Sequence, residues 1–181
     1  MPRIKLIDRA AMNAEQARVY DAAKAAGGPL GGPYYAYIRL PKLFEAAQNL
    51  RNALGSGPLS RREQQIINIT VARHWGARYP WFAQVEVSLK VGLSKAVIEA
   101  INARKEPELA DPREKMCFVV AREALANKGL SAETYAAAEK ALGEESLVAA
   151  VATTGSFSMT CMTAISFGVE PPAVNPIPLA E

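Results

Sequence analysis

Between Ser146 and Val169 the chain runs for 24 residues without a charged side chain, and this stretch constrains the fold more than any other. It exceeds the roughly 18 to 20 residues that cross a bilayer. Eight serines and threonines make the run only weakly apolar, however, and no cluster of basic residues flanks it. A helix with no charged face has to be enclosed by something. We therefore expect a central helix, from about Ser146 to Phe167, buried in protein and not in a membrane.

The rest of the chain carries explicit helix starts and stops. Asn13 caps a helix to about Ala26, after which the Gly27 to Pro33 run stops regular structure and reads as a flexible turn. Pro41 opens a helix to about Leu54 with Leu43, Phe44, Ala47 and Leu50 on one stripe. Ser60-Arg61-Arg62-Glu63 has the form of a capping box, and its helix ends at Gly76. Further runs extend from Tyr79 to Val91, from a Ser94 cap to Ala103, from an Asp111 cap to near Gly129, and from Ser131 to Gly143. The proline-containing tail after Glu170 cannot be helical. No segment alternates at period two over strand length, so the expected fold is all-α, seven or eight helices in one domain spanning residues 1–181 around a single core.

Composition narrows the function. A net charge of +3, spread along the chain, lacks the concentrated basic footprint of a nucleic-acid binder. The charged N-terminus lacks the apolar stretch of an export signal, which points to the cytoplasm. Cys117 and Cys161 are too far apart in sequence for a Cys-x-x-Cys pair or a zinc cluster, and read as reduced thiols. The glycine run lacks the Gly-Lys-Ser/Thr ending of a phosphate cradle. His74 is the single histidine, near a helix end where the dipole favours its protonated form; it either packs or handles protons. Tyr34, Tyr35 and Tyr37 either line a pocket or fill the core. No metal or cofactor is called for.

Leu59-Ser60-Arg61-Arg62-Glu63-Gln64-Gln65-Ile66, Val71-Ala72-Arg73-His74-Trp75-Gly76 with Ala77 to Gln84, and Leu89-Lys90-Val91-Gly92-Leu93-Ser94 together resemble the carboxymuconolactone decarboxylase-like family, which includes the alkylhydroperoxidase AhpD type. The likeness is best over residues 59–103. It implies an all-helical homo-oligomer, trimer or hexamer, with a small-molecule pocket between subunits or between the two central helices. Where the family places a glutamate this chain has Gln65, and where it places a histidine this chain has Gln84. The Cys-x-x-Cys of the peroxidase branch falls on Ala77 and Pro80, so the thiol chemistry has no agent there.

On this alignment the candidate catalytic residues are Gln65, Gln84, Tyr79 and His74, with Arg73, Trp81 and Tyr37 as candidate substrate contacts. Helical phase places Pro80, Gln84 and Ser88 on one side of their helix, and Gln65, Ile69, Ala72 and Gly76 on the facing stripe. Amides keep hydrogen-bonding capacity and lose titration near neutrality. The readings are a lyase acting on a small carboxylated lactone or ring-cleavage product, a non-catalytic binding or scaffold member of the fold, and, disfavoured, a thiol peroxidase.

Overall fold

In the computed structural model, residues 3–172 and 175–181 are described. They form nine α-helices and no strand: α1 (Ala14–Ala25), α2 (Tyr34–Tyr37), α3 (Pro41–Gly55), α4 (Arg61–Trp75), α5 (Arg78–Lys90), α6 (Lys95–Asn102), α7 (Pro112–Asn127), α8 (Ala132–Leu142) and α9 (Glu144–Ser166). The ninth, beyond the seven or eight expected, is α2, a single turn too short to leave a periodicity in the sequence.

The caps explain where the helices begin. Asn13, Ser60, Ser94, Asp111 and Ser131 each accept from an amide of the first turn, and the Ser60–Glu63 box closes reciprocally. Gly76 ends α4 in the left-handed region, at φ 63°. The end of α7 differs from expectation: Lys128, not Gly129, adopts the left-handed conformation, at φ 63°.

Helix α4 is the central element, packed against α5, α7 and α9. Its Ile66, Ile67, Ile69, Val71 and Ala72 are fully excluded from water. Two crossed ion pairs join its first turn to α7: Arg62 with Glu114 at 2.5 Å and Arg113 with Glu63 at 2.8 Å. The expected single core is in fact two clusters. The larger surrounds α4, and the smaller holds Val19, Tyr34, Tyr37, Ile38 and Phe44 from α1 to α3.

Helix α9, which begins at Glu144 and Glu145 and carries no charge from Ser146 onward, packs along α4 and α7 but is not enclosed as expected. Val148 is 63% exposed, and Val151, Met162 and Ile165 on the same side are also open to solvent. Several of its hydroxyls donate back to the preceding turn: Thr154 to Ala150 O, Ser158 to Thr154 O and Thr163 to Met159 O, each at 2.8 Å.

From Asn175 onward the chain is not helical, as expected, and is bonded to residues of α4, α5 and α6. Trp81 Nε1 donates to Ile177 O at 2.8 Å, Asn102 Nδ2 to Pro178 O at 2.7 Å, and Asn102 Oδ1 accepts from Ala180 N at 2.9 Å.

Candidate functional site

A cleft of about 750 Å³ opens where the two apolar clusters meet. Its walls come from α3, α4, α5 and α9, with Tyr34 and Tyr37 of α2 and the Pro29 to Pro33 loop at one side. Gln65 and Gln84, the two amides singled out in the sequence, both line it. Gln65 is buried, and its Oε1 accepts from Ser88 Oγ at 3.4 Å. Ser88 is fully buried behind the wall, so the expected face of α5 reaches the cleft through Pro80 and Gln84, joined by Ala83 and Val87.

On α4 the stripe is rotated from the one expected. Arg61, Gln64, Gln65 and Asn68 face the cleft, whereas Ile69 and Ala72 belong to the core. The i, i+3, i+4, i+7 polar series on an otherwise isoleucine-rich helix was a visible signal for these positions. Arg51, Asn52 and Thr153 also line the cleft, and nothing in their own segments marked them beforehand.

Tyr79 lines the cleft with its ring laid on the glycine loop. A Cβ on Gly31 would stand 2.9 Å from the Tyr79 hydroxyl, and one on Gly32, at φ +65°, would overlap the ring itself. The glycine run is therefore a close-approach surface and not the flexible turn expected. Gly32→Ala meets both a left-handed backbone and an occupied space, so urea unfolding should register a loss of about 2 kcal/mol. A variant as stable as the parent would show that the ring does not rest there.

Tyr37 lines the same cleft, and its hydroxyl lies 3.1 Å from Thr163 Oγ1. Because the Thr163 hydroxyl already donates to Met159 O, the Tyr37 phenol is the donor. Burial raises the phenols of Tyr34, Tyr37 and Tyr79 above the ordinary tyrosine value, so all three stay neutral in the physiological range.

The other candidates lie elsewhere. Trp81 is fully buried in the large core, its indole nitrogen bound to Ile177, and does not meet the cleft. Arg73 is also buried, and donates to Asn102 O at 2.6 Å and Glu181 O at 3.2 Å. His74 sits exposed at the end of α4 with its ring edge-on to Trp75. Partial burial, and next the charge of Arg104, hold its pKa below the usual imidazole value, which reverses the dipole expectation. Glu63, near Gln65 in sequence, spends its carboxylate on Ser60 N at 2.7 Å and on Arg113. Among the described residues, no aspartate, glutamate, histidine or cysteine lines the cleft.

Both thiols are fully buried, and neither is among the residues that line the cleft. Burial pushes Cys117 up to about 12 and raises Cys161 as well. A thiol raised in the folded state ionises first in the unfolded chain, so its effect appears above the ordinary thiol pKa as a loss of stability with rising pH. The unfolding free energy from urea titration should fall from about pH 9 upward, by about 1.4 kcal/mol per pH unit per thiol, and less steeply in Cys117→Ala. A flat profile would mean an exposed or already ionised sulfur.

No family model and no curated protein sequence matches the chain. Solved structures do. One is described as an alkylhydroperoxidase AhpD core, an uncharacterized peroxidase-related protein from Ralstonia eutropha JMP134, with 18% identity and TM-score 0.75 over 94% of this chain and 92% of that one. Another is an uncharacterized peroxidase-related protein from Silicibacter sp. TM1040, with 18% identity and TM-score 0.76 over 95% of this chain and 93% of the other. With its helices in that arrangement over nearly its whole length, the chain has the AhpD-like helical fold.

Proposed function

We propose that this protein binds a small organic molecule in the cleft between α3, α4, α5 and α9, without thiol chemistry and without general acid–base catalysis near neutrality. The observation that carries this reading is the lining: amides, hydroxyls, neutral phenols and two arginines, with no residue type among the described residues that ordinarily titrates between about pH 5 and 8. The volume is in the range of drug-sized ligand sites. A small-molecule panel followed by thermal shift supplies the test, since a ligand that binds only the folded state raises its stability. Ligands found this way should lose their effect in Gln84→Ala, and their affinity should be flat from about pH 5 to about pH 8. An affinity that rises or falls with a pKa in that interval would place a proton-handling group in the site and overturn the reading.

A lyase acting on a carboxylated lactone or ring-cleavage product is the second reading, favoured by the phenol of Tyr79. Held neutral by burial, it can offer a proton to a carbanion left by departing CO2. It requires that Tyr79→Phe abolish CO2 release while leaving ligand binding intact.

We also propose that the open apolar side of α9 is covered by other copies of the chain, in a trimer or hexamer. The support is that Val148, Val151, Met162 and Ile165 lie on one side of a helix without a charge from Ser146 onward. Sedimentation showing a stable monomer would overturn it.

A further inference from the structure

We propose that Arg51 and Arg61 form the anion-reading end of the cleft, and that its ligand is an amphiphilic organic anion: an apolar, ring-bearing body with one negatively charged group. The inference rests on the binding reading above and names the ligand class.

Both arginines line the cleft, and among the described residues no acidic one lines it with them. Among the described residues neither is in an ion pair, whereas Arg62 and Arg113 nearby are each tied to a glutamate. Arg61 is the first residue of α4, where a cation is disfavoured by the helix dipole and an anion is welcome. Its Nη1 turns toward Gly55 at the end of α3, where an added Cβ would stand 3.4 Å from it. That brings its charge toward the helix that carries Arg51. Arg51 bonds only a neutral group, Asn52 Oδ1 at 3.2 Å, and its charge acts on the phenol of Tyr34. Two guanidinium forks without a carboxylate suit a ligand's negative group.

Other surfaces of the cleft fit the body. Leu54, Val87, Phe157 and Met159 supply apolar wall, and Tyr34 and Tyr79 supply ring faces. Within this wall Thr153 is 7% exposed, and its Oγ1 has no hydrogen-bond partner among the described residues. A buried hydroxyl left unbonded costs stability. A polar atom on the ligand body would satisfy it.

Two fluorescent probes separate the charge from the cavity: 8-anilinonaphthalene-1-sulfonate, and the neutral N-phenyl-1-naphthylamine, which shares its skeleton without the sulfonate. The full chain should bind the anion about tenfold or more tightly than the neutral probe, and less so as salt is added. Arg51→Gln with Arg61→Gln should weaken the anion about tenfold and leave the neutral probe unchanged. Ala83→Trp, which fills the cleft, should abolish both. Folding of each variant is checked by thermal melting, and Val87→Trp, at a more exposed point on the same wall, replaces Ala83→Trp should that variant unfold. Equal affinity for the two probes, or anion binding indifferent to the arginine pair, overturns the anion inference and leaves the cavity reading standing. Binding of both probes that survives the filled cleft, or no binding of either, overturns the cavity reading itself.

Discussion

Trp81→Ala is expected to lower the unfolding free energy by about 4 kcal/mol, as deletion of a large buried aromatic does. The indole is fully excluded from water between α4, α5 and the tail, so little of the void can be filled by solvent or by collapse. The loss should carry a second signature. Without the Nε1 donor the Ile177 carbonyl loses its partner, and the segment from Asn175 onward retains only its bonds to Asn102, Arg73 and its own side chain. Limited proteolysis should therefore cut the tail in Trp81→Phe, which keeps most of the volume, sooner than in the parent. A loss under about 1 kcal/mol in the alanine variant would mean that the indole is not a core residue.

Arg113→Met should cost about 3 kcal/mol in urea unfolding, because it strands the carboxylate of Glu63. Glu63 is 4% exposed, and after the substitution it would keep only the Ser60 amide as a donor. Arg113 also bonds Leu142 O and Ser146 Oγ, so α7 loosens from α8 and α9 at the same point. Neutralising the stranded acid should restore part of the loss: Arg113→Met with Glu63→Gln should be more stable than Arg113→Met alone. Additive losses in the double variant would show that the pair is solvated and contributes little.

The legible and illegible parts of this molecule separate by the range of the interaction. Helix starts are set by a side chain reaching an amide three residues on or fewer, and Asn13, Ser60, Ser94, Asp111 and Ser131 all did what their sequence context indicated. Gln65 and Gln84 reach one cleft because two adjacent helices of known phase leave little choice. The errors arose where partners came from far along the chain. Trp81 was a candidate substrate contact on the alignment, yet a tail almost a hundred residues later supplies its hydrogen bond. Arg73 was a candidate substrate contact too, and the same tail and Asn102 occupy it. The glycine run looked flexible because its packing partner, Tyr79, lies in a different helix. The stripe on α4 was drawn from Gln65 toward the C-terminal end of the helix. It in fact continues toward the N-terminal end, where Arg61 and Gln64 join it.

The inward-turned hydroxyls of α9 have a consequence for any reading of hydropathy. A transfer scale treats each serine and threonine as a group in want of water, but Thr154, Ser158 and Thr163 meet that want from the carbonyl one turn back. At those three positions the rod can be dried at little cost. One composition then serves a lipid, a protein interior or a seam between molecules equally well, and the neighbours choose among them.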